Sequence, residues 1–341
     1  MRKWIALFAI VLSMASLGWA REIVDMDGRR VTIPDHVRKV YAPSPFGAYM
    51  LYALAPDMTS GLVFNVGDAD WKYLPRALHG LPALGAAVSG MGPSANPEQV
   101  LAARPDVLIV WVTEQAPIDQ RVQDFLKKVP IPYVVVSAVR MQDYPAAVRF
   151  LGKLLDRQAR AEMLAGRMER DLAEVRRAVA SVPAQRRPRV YYAEGLDGLS
   201  TECNDSFHVE LLRLMGDVNV YRCHAMTHMG MDKISMEQVM MLAPDAIVAQ
   251  EKAFVDKVYS DPQWRQLKAV RARRVYLVPR APLNWFDRPP SFMRFLGAEW
   301  LAANLYPKEY PADIYKKTKS FYAAYLDVKL SDRDVREILD R

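Results

Sequence analysis

The sequence predicts an α/β protein with two similar lobes, each built on a parallel sheet flanked by helices. One long rigid helix is expected to join the lobes, with a ligand cleft between them. Short apolar segments alternate with helical ones, which is typical of parallel sheets covered on both faces. A Glu-Gln-Val…Pro-Asp pattern occurs at 98–106 and again at 237–245, at a constant offset of 139 positions. An uninterrupted helical pattern separates the two copies.

The first 20 residues have the composition of a secretory signal peptide. Arg2 and Lys3 precede an apolar run, and Gly18-Trp19-Ala20 supplies the small residues of a cleavage site. An uncleaved membrane anchor is the alternative. No cysteine follows the cleavage site to carry a lipid, and no later segment reaches about 18 apolar residues. We therefore expect an exported, soluble protein without a lipid anchor.

Composition limits the classes of partner. Hydrophobic residues make up 51% and charged residues 25% of the 341 residues, which is ordinary for a globular chain with room for two domains. Without the two basic residues of the signal peptide, the formal charge falls from +7 to +5 (44 basic minus 39 acidic residues). This surplus mildly favours small anions. No basic run is interleaved with aromatic residues, so we expect no nucleic-acid partner.

The N-terminal lobe is expected over residues 21–142. It begins with a hairpin around Asp27-Gly28, because this dipeptide favours a tight turn between alternating segments. Strands and helices then alternate. The predicted strands are 37–42, 61–64, 107–111 and 133–136, and the predicted helices are 46–54, 97–103 and 119–128.

Residues 143–182 are expected to form the connecting helix. Asp143 is a suitable N-cap with Pro145 in the first turn, and apolar residues recur at helical spacing from Val148 to Val179. A single helix of about 35 residues would be roughly 50 Å long and would act as a stiff strut.

The C-terminal lobe with its trailing helices is expected over residues 183–341, and it repeats the element order of the first lobe. The predicted strands are 189–193, 246–249 and 274–278, with an extended segment at 218–221. The predicted helices are 206–215, 236–242, 291–304 and 313–326, with a helical turn at 262–269. Two cysteines in an exported protein most often form a disulfide, so we expect a Cys203–Cys223 bond. Its loop closure would stabilise the fold by roughly 3 kcal/mol in the chain-entropy model. A free thiolate ligand is the alternative.

The signal peptide, the duplicated lobes, the connecting helix and the repeated Glu-Gln-Val…Pro-Asp element together resemble the periplasmic binding proteins for iron–siderophore, haem and vitamin B12 uptake. The resemblance covers essentially the whole mature chain. It implies a monomeric, non-enzymatic carrier in the periplasm that delivers its ligand to the permease dimer of an ATP-driven importer. It also implies that the ligand lies between the lobes, at the carboxyl ends of the strands, and that the lobes move little.

Two glutamates match residues that the family uses to contact the permease. Glu98 and Glu237, one in each lobe, correspond to the family glutamates that dock onto permease arginines. The alternative is that each carboxylate only favours its own helix, because the helix dipole stabilises negative charge in the first turn.

The strand-end rule for α/β sheets nominates the ligand-binding residues. They are Phe46, Phe64 and Trp111 in the first lobe, and Tyr192, Lys252, Arg280, Trp285 and Arg288 in the second. The arginines would neutralise an anionic chelate, and the aromatic rings would stack on it. The alternative is that Trp285 and Phe286 fill the core while Asp287 pairs with Arg288.

The segment from Cys223 to Met231 is rich in metal-ligating residue types. We expect His228, or else His224, to occupy an open coordination position on a metal that arrives with its own chelator. No intrinsic cofactor is expected, since iron, or alternatively nickel or cobalt, would be bound as the chelate. The methionines of this segment are alternatively core filler.

The leading hypothesis is a carrier for an iron–siderophore complex. A nickel or cobalt chelate, or a molybdate-type oxyanion, is the alternative cargo on the same fold. The contrasting class is an exported metalloenzyme centred on His224 and His228. The sequence contains no HExxH or GxSxG motif, which disfavours an enzyme.

Overall fold

The computed structural model describes residues 20–88, 93–113, 118–225 and 230–340, so the predicted signal peptide lies outside them except for Ala20. The strands are β1 (Ala20–Val24), β2 (Arg30–Pro34), β3 (Val40–Tyr41), β4 (Val107–Val112), β5 (Tyr133–Ser137), β6 (Val190–Ala193), β7 (Ser200–Thr201), β8 (Asp232–Lys233), β9 (Ala246–Ala249) and β10 (Val275–Leu277). The helices are α1 (Pro45–Leu54), α2 (Pro97–Ala103), α3 (Gln120–Lys128), α4 (Tyr144–Leu154), α5 (Gln158–Ala180), α6 (Glu210–Leu214), α7 (Met236–Leu242), α8 (Lys252–Val258), α9 (Lys268–Arg271), α10 (Arg294–Leu305), α11 (Ile314–Leu326) and α12 (Asp332–Asp340).

Each lobe contains a three-stranded parallel sheet. The strand order is β3-β4-β5 in the first lobe and β6-β9-β10 in the second. A single bridging residue extends each sheet at the matching edge, Thr59 beside Val40 and Asn219 beside Val190. The predicted fold class of two similar α/β lobes is confirmed. The predicted strand at 61–64 is wrong, because Leu62 makes only an isolated bridge to Ala83.

The repeated Glu-Gln-Val…Pro-Asp pattern forms the same structure twice. Val100 of α2 packs with Leu108 on the outer face of the first sheet, and Val239 of α7 packs with Ile247 on the outer face of the second. In each lobe the Asp that follows the proline fixes the start of the first strand. The Asp106 carboxylate accepts hydrogen bonds from the backbone N–H groups of residues 38 and 39, and the Asp245 carboxylate accepts one from residue 189. The pattern therefore attaches a helix and a buried strand to their sheet.

The connection between the lobes differs from the prediction of one continuous helix over 143–182. The chain leaves α4 at Leu155, takes a left-handed conformation at Asp156 (φ 54°), and begins α5 two residues later. The two helices fold back on each other as an antiparallel hairpin, since Gln142 before α4 accepts a hydrogen bond from Arg176 near the end of α5. The long connecting helix is thus α5 alone, with 23 residues and a length of about 35 Å.

A single large core extends through both lobes. It includes Val136 of β5, Val248 of β9 and Leu164 of α5, and it continues into α10, α11 and α12. Helix α10 packs against both α5 and α6. This shared core, rather than a lone strut, holds the lobes together. No helix in the described part of the chain is long and apolar enough to cross a membrane.

Candidate functional site

The C-terminal lobe places five ionisable side chains together at the carboxyl end of its sheet. Glu194 directly follows β6, Glu202 follows β7, His208 lies in a short 3-10 turn, and Asp287 and Arg288 lie in the loop between β10 and α10. Four of the five are buried, and the side chain of Arg288 keeps 23% of its surface exposed. We call these five residues the Arg288 cluster.

Arg288 is held by two carboxylates. Its Nε donates to Glu194 Oε1 at 2.7 Å, and its Nη2 donates to Glu202 Oε1 at 2.5 Å. Nη1 lies 3.4 Å from His208 Nε2, and the other ring nitrogen of His208 is bonded to Asp287. A guanidinium fixed by two buried carboxylates has a defined orientation, which is the preorganisation that a binding site requires.

A polar relay positions the loop that carries Arg288. Asn284 Oδ1 accepts hydrogen bonds from the backbone N–H groups of Phe286 (2.7 Å) and Asp287 (3.0 Å). The Asn284 amide donates to Gln250 at the end of β9, and Gln250 donates to the Tyr192 hydroxyl. The loop conformation is therefore set by side chains from two strand ends.

Burial changes the protonation of this cluster. Burial raises the pKa of Glu194 to about 8, although the hydrogen bond from Arg288 opposes the shift. Burial lowers the pKa of His208, but the neighbouring Asp287 carboxylate raises it, and the net direction is upward. Glu194 and His208 therefore bind their protons more tightly than the same side chains do in water.

The disulfide lies beside the Arg288 cluster. Cys203 and Cys223 are bonded, with their Cα atoms 4.9 Å apart. Glu202 Oε1 also accepts a hydrogen bond from the backbone N–H of Met231 at 2.8 Å. A Cβ on Gly230 would lie 1.8 Å from this carboxylate, and its φ is +60°, so only glycine fits there. The segment after the disulfide is thus tied to the residue that orients Arg288.

The N-terminal lobe presents the start of a helix at the corresponding strand end. Ser44 follows β3 and is the N-cap of α1, but its side chain makes no cap hydrogen bond. Its Oγ is buried and has no hydrogen-bond partner in the described part of the chain. No acidic residue occupies the first turn of α1. Gly47 lets the helix approach the sheet, because a Cβ there would lie 2.9 Å from the Ala42 Cβ.

Comparison with known proteins decides the family. The family model described as "Periplasmic binding protein" matches residues 44–282. The chain belongs to the periplasmic binding proteins. A solved ABC transporter solute binding protein from Sulfurospirillum deleyianum is 36% identical, with a TM-score of 0.86 over 94% of this chain and 99% of that chain.

Two curated relatives bind named solutes. The molybdate-binding protein MolA of Haemophilus influenzae is 25% identical over 331 residues, covering 89% of this chain and 90% of its own length. A vitamin B12-binding protein of Pectobacterium atrosepticum is 26% identical over 175 residues, covering 49% of this chain and 60% of its own length. The protein is thus a solute-binding component of an ABC transporter and not an enzyme.

Four of the aromatic residues that we nominated for this periplasmic binding protein lie in the core instead of on an exposed wall. They are Phe46, Trp111, Tyr192 and Trp285, each at most 2% exposed. Tyr192 stacks on Phe286 with ring centroids 4.7 Å apart. The alternative assignment of Trp285 and Phe286 to the core therefore describes the structure. Aromatic side chains at strand ends are found both in protein cores and in the walls of ligand sites, so residue type alone does not distinguish the two.

The other nominated ligand residues occupy different environments. Phe64 is half-buried, with its ring centroid 6.4 Å from that of Tyr49. Lys252 lies in α8, which the sequence did not predict, and pairs with Asp256 one turn later. Arg280 pairs with Glu251 on the surface. Among the nominated cations, only Arg288 belongs to a buried polar cluster in the described structure.

The structure describes the surroundings of one of the two predicted metal ligands. His224 is almost fully exposed, and its Nδ1 lies 2.9 Å from Asp205 Oδ2. Across the described ranges, His224 belongs to no group of three metal-ligating side chains. His228 lies outside the described residues.

Sequence reasoning did not nominate Glu202 and His208 for the site. Glu202 immediately precedes Cys203, and His208 lies at the start of a predicted helix. Each is next to a feature that the sequence did reveal, but their meeting with Arg288 spans 86 and 80 positions of the chain. Such long-range pairs leave no local pattern. The two predicted docking residues, Glu98 and Glu237, are both exposed in the first turn of their helices.

Proposed function

We propose that this carrier binds a compact metal-containing anion between the start of α1 and the Arg288 cluster. The buried Ser44 hydroxyl is the observation that carries the proposal. A buried polar group without a partner destabilises a protein by about 1–3 kcal/mol, so such groups call for an explanation. An oxygen of the bound anion would accept the Ser44 hydrogen bond. The helix N-terminus would add favourable electrostatics.

Arg288 would supply the charged contact from the opposite lobe. Its guanidinium is oriented by Glu194 and Glu202 while part of the side chain stays exposed. A charge-assisted hydrogen bond from a fixed arginine gives both affinity and geometric selectivity for carboxylate or oxyanion groups. The surrounding carboxylates keep the wall close to neutral overall, which favours hydrogen bonding over simple charge attraction.

Two forms of metal-containing anion fit this arrangement. The first is a metal bound by its own chelator, such as an iron–siderophore complex or a nickel or cobalt chelate, with His228 still proposed as a ligand to the metal. The second is a molybdate-type oxyanion. The molybdate-binding relative from Haemophilus supports the second form. Because Phe46, Trp111 and Trp285 are core residues, a chelate would have to be compact.

Delivery would use the repeated helices α2 and α7. We propose that Glu98 and Glu237 form charge-assisted contacts with the two halves of a permease dimer, since related positions on two similar lobes suit a symmetric partner. Both carboxylates are exposed, and each lies two positions before the valine that packs its helix on the sheet.

The cargo site is tested by comparing two buried serines. Ser44→Ala removes the hydroxyl at the start of α1, and Ser60→Ala removes another buried, unpartnered hydroxyl that lies near the opposite end of β3. Calorimetric titration would use sodium molybdate, a nickel–histidine complex and a ferric siderophore separately. We expect Ser44→Ala to weaken binding of the anion that wild type accepts by about tenfold, the equivalent of one lost hydrogen bond. Ser60→Ala should bind as wild type does.

Equal affinities of Ser44→Ala and wild type would rule out the proposed contact. Equal losses in both serine variants would also do so, because they would point to a general effect of burial. The three titrants distinguish the oxyanion from the two classes of chelate. Thermal melting of each variant shows whether it remains folded.

A further inference from the structure

A cavity lies at the border of the two lobes, apart from the Arg288 cluster. It has a volume of about 440 Å³, and none of the five cluster residues lines it. Its wall comes from the loop after β5, from α5, and from the segment 205–214. A ligand in this cavity would contact both lobes and the helix that connects them.

Three arginines line this cavity, and none of them forms an ion pair within the described part of the chain. They are Arg140, Arg176 and Arg213. Arg176 donates to the Gln142 side chain at 3.1 Å. Arg213 donates to two backbone carbonyl groups, those of Asn204 and Ser206. Their positive charges are therefore solvated or bound to neutral groups.

The two carboxylates in the same wall have partners elsewhere. Glu210 binds Arg294 through one oxygen and accepts the backbone N–H of Met141 through the other. Asp205 is hydrogen-bonded to the His224 ring and to the backbone N–H of Ala225. Glu210 still acts on Arg213, since its negative charge raises the pKa of that guanidinium, but it forms its ion pair with Arg294.

Arg140 and Arg176 are exposed and Arg213 is half-buried, so all three side chains in the cavity wall are accessible to an anion from solvent. Burial lowers the pKa of Arg213, the Glu210 carboxylate opposes this shift, and the charges of Arg294 and Arg140 lower the pKa further. Guanidinium groups bind carboxylates and phosphates through paired N–H donors. We propose that this cavity binds a compact polyanion with two or three carboxylate or phosphate groups.

The cavity is linked to the cargo site by one short turn. Phe207 lines the cavity, and the next residue, His208, contacts Asp287 and Arg288. The rings of Phe207 and His208 are 3.8 Å apart at their centroids. A polyanion in the cavity would therefore stabilise the relative position of the two lobes. Through Phe207 and His208 it would also affect the position of Arg288, which we propose binds the cargo.

The test is a titration of metal-free, full-length mature protein with the tricarboxylate tricarballylate and, separately, with inorganic phosphate. We expect saturable binding of one polyanion per chain and a raised melting temperature. Propionate at the same ionic strength should have neither effect. The Arg140→Ala/Arg176→Ala double variant removes no ion pair, so it should fold normally. Because charge-assisted hydrogen bonds are lost, its affinity for the polyanion should fall by at least about tenfold.

The matched control is Arg170→Ala/Arg336→Ala, which removes the same charge from two exposed helical positions outside the cavity. It should bind the polyanion as wild type does. Absence of saturable binding by both titrants, or equal affinities of the two double variants, would overturn the proposal. Ser44→Ala separates this site from the cargo site, because it should bind tricarballylate normally whether or not it binds the cargo.

Discussion

The two lobes are alike at α2 and α7 and different at the cleft. Both carry a seven-residue helix with an exposed glutamate in its first turn, a left-handed C-cap residue, and an aspartate that fixes the neighbouring strand. At the carboxyl ends of the strands, the first lobe presents the uncharged start of α1. The second lobe presents the five ionisable residues of the Arg288 cluster.

The features that the two lobes share are those that the fold requires, and the features that differ lie where we propose that the cargo binds. The repeated element keeps the residues that attach helix to sheet, and with them the two exposed glutamates proposed to meet the permease. The strand-end loops have no such common requirement, so their chemistry can differ between lobes. We expect charge, pH dependence and selectivity to reside in the second lobe, with a neutral hydrogen-bonding contact in the first.

The largest effect is expected from Arg288→Ala. This change leaves Glu194 and Glu202, both at most 2% exposed, without their cation. Breaking a buried ion pair from one side destabilises a protein by about 3–5 kcal/mol. Urea denaturation would measure the free energy of unfolding.

Arg280→Ala is the matched control for that change. Arg280 pairs with Glu251 at the surface, and exposed pairs contribute about 0–1 kcal/mol. If both variants lose less than about 1 kcal/mol, the Arg288 cluster is not the buried network described above.

A smaller effect, and one confined to the second lobe, is expected from Glu194→Gln. Because the folded-state pKa of Glu194 is raised to about 8, the native protein holds this proton more tightly than the unfolded chain does. The stabilising contribution is complete below the ordinary glutamate pKa and is lost as the pH rises through about 8. We therefore expect Glu194→Gln to gain stability relative to wild type between pH 5 and pH 9, by about 1–3 kcal/mol.

The check is the melting temperature of both proteins as a function of pH. His208 has a raised pKa of the same sign, but it is present in both proteins and cancels in the difference. Ser44→Ala, in the uncharged wall of the first lobe, should follow the pH profile of wild type. Parallel profiles for Glu194→Gln and wild type would show that Glu194 is ionised throughout this range.

The smallest effect on the protein itself is expected from Glu98→Lys/Glu237→Lys, where the lobes are alike. Both side chains are exposed, so folding and cargo affinity should be unchanged. Uptake of the cargo into cells should fall by about tenfold or more if two charge-assisted contacts to the permease are reversed. Intact uptake by the double variant would remove the docking assignment.

The parts of the fold that follow from short-range signals could be predicted. Helices α2 and α7 were predicted with the bounds that the structure shows, because a capping residue, an early proline or serine, and a following Pro-Asp mark both ends. The break between α4 and α5 could not be predicted, since the apolar spacing continues across Asp156. It depends on the close packing of Gly152 on Ala161, where an added Cβ would lie 2.3 Å from the alanine Cβ.

The candidate site was predicted less well, because it also depends on contacts between residues that are far apart in the sequence. Arg288 was nominated from its place after a strand, but its partners lie 86 and 94 positions away. The aromatic residues were misplaced because burial depends on what the rest of the fold puts above them. Trp285 and Tyr192, for example, are covered completely.

In the proposed mode of binding, the cleft carries a metal-containing anion. Native mass spectrometry with elemental analysis of protein purified from its own periplasm tests it most directly, because the cargo and its metal are measured together. We predict one bound anion per chain, with one metal centre, and a lower occupancy by this species in the Ser44→Ala variant but not in Ser60→Ala. A metal-free solute at the same stoichiometry, or a metal retained equally by both serine variants, would show that the cleft does not bind a metal-containing anion through Ser44.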